Sequence, residues 1–202
     1  MRVRIDLKIF IFLVILYFTN QIRIYLILML FCVIHEIGHI LVGLILKMRP
    51  EKLEIMPFGI SISFYKEINN KKINIKEICV ALAGPIVSLI LAILCRYIDL
   101  KFVTVQEAVY SNILILLFNL IPIYPLDGGR IIKGILHISL GEDLSEKIME
   151  KVSKITLVIL TLISSIAVYY YKNIAIFLTC IFLWIICLQE KNVKTLAILE
   201  GK

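Results

Sequence analysis

Between Phe31 and Leu44 the chain reads FCVIHEIGHILVGL, and this stretch constrains everything else. Two histidines and a glutamate sit inside an apolar run of membrane-crossing length. An ionisable group at the centre of a bilayer costs on the order of 3 kcal/mol or more unless a partner compensates it. His35, Glu36 and His39 therefore need a reason that the surrounding leucines and isoleucines do not. The whole chain shares the apolar bias. Of its 202 residues, 60% are hydrophobic, and mean hydropathy is +0.96, well beyond a soluble domain.

A hydrocarbon core asks for about 20 apolar residues per helix. Six runs meet or approach that length, at residues 7–19, 24–46, 78–98, 104–121, 155–171 and 173–189. The last two are joined by a tight turn at Lys172 and Asn173. The first follows a basic start and imitates a signal peptide. Thr19, Asn20 and Gln21 offer no small-x-small cleavage site, so it reads as an uncleaved span. We therefore expect an α-helical integral membrane protein of about six spans, with residues 1–202 forming a single transmembrane domain.

The net charge of +7 raises the question of nucleic acid. A nucleic-acid interface clusters Lys and Arg on one soluble face with stacking aromatics. Here the basic residues fall in short blocks between apolar runs, so topology explains them and no nucleic-acid partner is expected. With the intervals assigned to alternating sides, 18 of the 22 basic residues fall on one side and 4 on the other. The positive-inside rule then places the N-terminus, the C-terminus and the loop 47–77 in the cytoplasm of a cell-membrane protein. Tyr17, Tyr25, Tyr97 and Tyr169 to Tyr171 gather near the proposed outer ends, as an aromatic belt would. The five cysteines are odd in number, lack a CxxC and lie in or beside apolar runs. They read as small buried hydrophobes, and no oxidising compartment is required.

The cytoplasmic loop breaks the helical pattern. Over roughly 52–66, Ile60, Ile62 and Phe64 alternate with Ser61 and Ser63, the two-residue period of a strand. Pro57 and Gly59 interrupt any helix. A short membrane-associated β-hairpin between the second and third spans is expected. Its exposed edge would template an extended peptide, although an ordinary surface hairpin explains the alternation equally well.

His35 and His39 are four residues apart and share one helix face, so both imidazoles can reach one metal ion. Glu36 adjoins the first and can act on a water without itself being a ligand. H-E-x-x-H is a zinc-protease pattern. The plainer alternative is a buried polar triple that joins helices. A catalytic zinc needs a third protein ligand and an open position. Glu107 and Asp99 fall near the outer ends. Asp127 is better placed, within NLIPIYPLDGGR just past the fourth span. Pro122, Pro125, Gly128 and Gly129 are expected to prevent regular helix there, and irregular backbone at membrane depth is tolerated only against protein or a wet cavity. Asp127 also reads as a loop aspartate turning at Gly128. His137, in an amphipathic helix after Gly134, reads as interfacial rather than as a ligand.

HEIGH in an early span, ALAGP at Ala81–Pro85 and NLIPIYPLDGGR in a later one, in that order, resemble the site-2 protease family of intramembrane metalloproteases. The resemblance covers roughly residues 30–135. It implies one Zn²⁺ per chain held by His35, His39 and Asp127, with Glu36 as catalytic base. Asn119 matches the family asparagine that contacts the substrate backbone or helps polarise the scissile carbonyl. Phe58, Gly59 and Ile60 match a β element beside the site that binds substrate. No PDZ-sized insert separates the spans, so the chain looks most like the stage IV sporulation FB subgroup, whose substrate is a sigma-factor precursor. Many members of that subgroup carry a C-terminal CBS domain. Here only a short tail follows Gln189, and regulation by that route is not expected. The implied partners are a membrane-associated protein substrate and membrane inhibitor or regulatory proteins.

Two other classes compete. A zinc transporter would want further ligands along a path across the bundle, and His137 is the only other histidine. A non-catalytic membrane regulator with a protease-like fold would have no need to keep His35, Glu36, His39 and Asp127 together.

Overall fold

The apolar run that carries the histidines forms a helix, α1, over Ile22–Ile45. Its sequence explains its two faces. Ile27, Phe31, His35, Gly38, His39 and Gly43 are buried, while Leu30, Val33, Ile37, Leu41 and Leu44 stand exposed on the opposite side. A continuous apolar surface of this kind suits lipid rather than water. The helix ends in a Schellman arrangement. Lys47 takes a left-handed φ of 58°, its N–H donates to Leu44 and that of Met48 donates to Gly43.

In this computed structural model the described residues are 2–5, 22–48, 50–56, 59–64, 71–98, 101–171, 180, 181, 183–185, 187 and 188. They divide between two compact units, Met1–Leu120 and Ile121–Lys202.

Among the described residues, the first unit holds a three-stranded sheet and three helices. Strand β1 (Arg2–Ile5) pairs in parallel with β2 (Pro50–Met56), from Arg2 opposite Lys52 to Ile5 opposite Ile55. Strand β2 pairs antiparallel with β3 (Gly59–Phe64), with Met56 opposite Gly59 and Ile55 opposite Ile60. The order is β1-β2-β3, and among the described residues no strand pairs with the outer edge of β3. β3 runs beside α1. The connection at 57–58, including Phe58, lies outside the described residues. The pairing of the basic N-terminal residues as a strand had no counterpart in the hydropathy pattern.

Helix α2 (Lys71–Leu94) starts earlier than the expected span at 78. Hydropathy marks where a helix meets lipid, not where its backbone hydrogen bonds begin. One face of α2 is lined by Ala81, Gly84, Ser88 and Ala92, all small and buried. Small residues let helix backbones approach closely in a membrane bundle. A Cβ at Gly38 of α1 would come within 2.8 Å of a Val87 methyl and 3.3 Å of the Ala83 carbonyl. Helix α3 (Val105–Asn119) is opened by a capping box, with Thr104 Oγ1 accepting from the Glu107 N–H and the Glu107 carboxylate accepting from the Thr104 N–H. At 15 residues it is shorter than the expected span 104–121 and about 22 Å long. Ile27, Phe31, Cys95, Ala108, Val109 and Ile115 form the core joining α1, α2 and α3.

In the second unit the NLIPIYPLDGGR segment departs from expectation. Residues 121–126 are irregular and include a cis Tyr124–Pro125 bond, but helix α4 (Asp127–Leu140) begins at the aspartate and takes Gly128 and Gly129 into its first turn. The glycines permit close approach rather than breaking the helix. A Cβ at Gly129 would lie 2.5 Å from Ile123 backbone atoms and the Tyr124 nitrogen. Tyr124 is held further by its N–H donating to Ser153 Oγ at 3.1 Å and by the Lys133 ammonium 4.8 Å from its ring centroid. His137 is half-buried in the last turn of α4, which ends at Gly141 with φ 83°. Helix α5 (Glu142–Tyr171) begins far ahead of the expected span at 155. Its first turns are polar, and pairs such as Lys154–Glu150 at 2.8 Å carry the helix out past the apolar segment.

Among the described residues, three helices are long and apolar enough to cross a membrane, Ile22–Ile45, Asn74–Leu94 and Glu142–Tyr170. They correspond to the second, third and fifth expected spans. The first expected span, 7–19, lies outside the described residues, as does most of the sixth, 173–189.

Candidate metal centre

The helical repeat puts His35 and His39 on the buried face of α1, where they are 0% and 2% exposed. Their Nε2 atoms face each other 3.2 Å apart. Each Nδ1 is tied to α2 instead. His39 Nδ1 lies 2.7 Å from the Val80 carbonyl oxygen, and His35 Nδ1 lies 2.8 Å from Ser88 Oγ. A carbonyl can only accept, so the His39 Nδ1–H donates to Val80, and its Nε2 presents a lone pair.

Gly84 lies between those two anchors along α2, one turn from each. A Cβ there would collide with the Nε2 atoms of both histidines. Val80, Gly84 and Ser88 thus form one stripe, four residues apart, that backs the imidazole pair. The arrangement fits zinc. Two tetrahedral nitrogen ligands at ~2.0–2.1 Å from one ion stand about 3.3 Å apart, close to the observed separation. Both rings also have the carbonyl or hydroxyl partner on the far nitrogen that ligating histidines use.

Glu36 follows His35 on α1 and is half-buried. Asn119, also half-buried, closes α3, and its Nδ2 donates to the Ile115 carbonyl one turn back at 3.0 Å. Asp127 is buried in the first turn of α4, where unpaired backbone N–H groups favour a carboxylate. The Arg130 guanidinium lies 3.6 Å from its Oδ1. Gly59 and Ile60 open β3, each opposite a residue of β2. The structure therefore brings His35 and His39 together and sets Glu36 beside them in the helix. It adds Val80, Gly84 and Ser88, which the sequence reading had not assigned. Gly84 lay within the ALAGP signal. Ser88 had no signal at all, since a serine in an apolar span ordinarily bonds to its own helix.

Comparison with known proteins agrees with this picture. The profile described as Peptidase family M50 matches residues 23–106 and 99–163. Zinc metalloprotease MJ0392 of Methanocaldococcus jannaschii is 29% identical over 169 residues, 80% of this chain and 47% of its own length. Stage IV sporulation protein FB of Bacillus subtilis is 30% identical over 118 residues, covering 56% of this chain and 40% of that protein. The chain thus spans about half the length, or less, of these curated relatives. The solved structure of the site-2 protease from Methanocaldococcus jannaschii matches with a TM-score of 0.73 and 25% identity, over 94% of this chain and 91% of that one.

The Gly84 contact can be tested directly. Gly84→Ala should weaken zinc binding by at least roughly tenfold, as changes next to a metal's ligands do, while helix content stays normal. Chelator competition on the purified protein, with circular dichroism as the folding control, measures both. Unchanged zinc affinity would contradict the close approach of α2 to the imidazoles.

Proposed function

The chain belongs to Peptidase family M50, and on that premise we propose that it is an intramembrane zinc endopeptidase. It cuts a membrane-associated or membrane-spanning protein near the cytoplasmic face. The observation that carries the reading is the pair of buried imidazoles turned Nε2 to Nε2, with each Nδ1 engaged by α2. Asp127 is proposed as the third ligand. Its support is chemical: two imidazoles and one carboxylate, all buried, are a catalytic-zinc donor set that leaves a position open.

Zinc, when bound, supplies Lewis acidity toward the scissile carbonyl and lowers the pKa of the attacking water. Glu36 takes the proton of that water and delivers it to the leaving amine. Asn119 contacts the substrate backbone or the scissile carbonyl through its amide. A helical substrate hides its carbonyls in hydrogen bonds, so it must be opened before it can be cut. Pairing it as a strand along Phe58, Gly59 and Ile60 does this, and the outer edge of β3 supplies the donors and acceptors.

The six-span topology with both termini inside rests on the distribution of basic residues, 18 against 4. In that orientation α1 runs inward, and His35 and His39 lie toward its cytoplasmic end. The likeness to stage IV sporulation protein FB makes a sporulation sigma-factor precursor the first substrate to try.

Glu36→Gln is expected to retain zinc and membrane insertion yet lose nearly all cleavage, since only the base is removed. His39→Ala and Asp127→Ala should lose zinc. Metal analysis together with an assay for uncut membrane protein in cells reads all three. Substantial proteolysis by Glu36→Gln would sink the mechanism, and full zinc retention in Asp127→Ala would remove it from the ligand set.

Topology and strand pairing are tested separately. With native cysteines replaced, Asn70→Cys should label only once the inner face is exposed, and Asn173→Cys from outside. The reverse pattern would move the chemistry to the other face. Ile60→Pro should impair cleavage with zinc still bound, because proline lacks the N–H that pairing needs. Normal cleavage in that variant would leave no role for the strand.

A further inference from the structure

The two histidines are anchored to α2 by chemically different partners, and the difference assigns a task to Ser88. Val80 holds His39 through a backbone carbonyl, which only accepts. The tautomer of His39 is therefore fixed by the helix itself. His35 instead faces the Ser88 hydroxyl at 2.8 Å, and a hydroxyl can donate or accept.

Two proton arrangements satisfy the same heavy-atom positions. In one, Ser88 donates to His35 Nδ1, and the proton on His35 Nε2 donates across 3.2 Å to the lone pair of His39 Nε2. In the other, the His35 Nδ1–H donates to Ser88 Oγ, and both Nε2 lone pairs face the same point. Only the second can hold a cation. His35 carries one ring proton in both, so passing between them moves that proton from Nε2 to Nδ1 and turns the hydroxyl. Ser88 is fully buried and sits one turn from Gly84, whose missing side chain leaves room for the imidazole pair.

We propose that Ser88 is a positioning residue. By accepting from His35 Nδ1 it holds that ring in the tautomer and rotation that offer Nε2 to the metal. The proposal rests on the zinc-site reading given above and extends it to a residue that touches neither metal nor substrate. A serine suits the task because it also satisfies the ring when no metal is held. Alanine would leave a buried ring nitrogen without this partner, and an aspartate would bring an additional charge into the bundle.

The test is zinc affinity by chelator competition on the full chain in detergent, with the visible spectrum of the cobalt-substituted protein as a second readout. Ser88→Ala should weaken zinc binding roughly 10- to 100-fold and alter the cobalt spectrum. Ser88→Thr keeps the hydroxyl and should stay within a few-fold of wild type. Ser111→Ala, which removes another buried serine hydroxyl from the same unit, should bind zinc normally. Wild-type affinity in Ser88→Ala would overturn the proposal. Equal losses in Ser88→Ala and Ser111→Ala, or in Ser88→Ala and Ser88→Thr, would also overturn it, by showing a packing effect rather than a hydroxyl effect. A wild-type chain that binds no zinc would remove the zinc-site reading itself, and this proposal with it.

Discussion

An imidazole inside a helical bundle has two nitrogens to satisfy and almost nothing to satisfy them with, because the backbone groups of the surrounding helices are already spent on each other. His35 and His39 meet that constraint with one partner each on α2, Ser88 and the Val80 carbonyl. The remaining nitrogen of each is turned toward the other. Much of the first unit serves that arrangement. α1 and α2 must approach closely, so small residues line α2 and Gly38 meets it from α1. Gly84 must have no side chain, because the space a Cβ would occupy belongs to the imidazoles. The core of Ile27, Phe31, Cys95, Ala108 and Ile115 fixes the helices around them.

That His35 and His39 share one buried face of α1 was legible from three letters and a spacing. Buried ionisable groups in an apolar run are costly enough that their presence implies a compensating partner, and a four-residue interval fixes their common face. The helices at 22–45, 71–94 and 142–171 were legible for the same reason, as runs that only lipid or a core would accept. Their ends were not. Lys71 and Glu142 lie well outside the apolar windows, and the backbone carries helix through polar residues without any hydropathy signal. Gly128 and Gly129 misled in the opposite direction. Their composition suggested a broken helix, but they are the condition for starting one hard against Ile123 and Tyr124. The partner of Arg2–Ile5 was hidden because parallel pairing with 52–55 leaves no local pattern. Ser88 was hidden because its partner lies 53 residues away in sequence.

A division of labour follows from the chemistry of each element. Helices α1 and α2 carry what must be rigid, namely the two imidazoles and the α2 groups that anchor them. The N-terminus of α4 carries a carboxylate where helix geometry favours one. In the proposed function the sheet would carry what must adapt to a substrate, since strand pairing reads backbone and tolerates varied side chains. Packing makes the first set precise; among the described residues no strand pairs with the outer edge of β3, and the proposed substrate pairing would use that edge.

The central claim is that the HEIGH helix holds a catalytic zinc with a nitrogen and oxygen donor set. X-ray absorption at the zinc edge of the purified, zinc-loaded protein tests it most directly. The account predicts a shell of nitrogen and oxygen only, near 2.0–2.1 Å, with outer-shell scattering from two imidazoles. A sulfur shell near 2.3 Å, or scattering from fewer than two imidazoles, would contradict it.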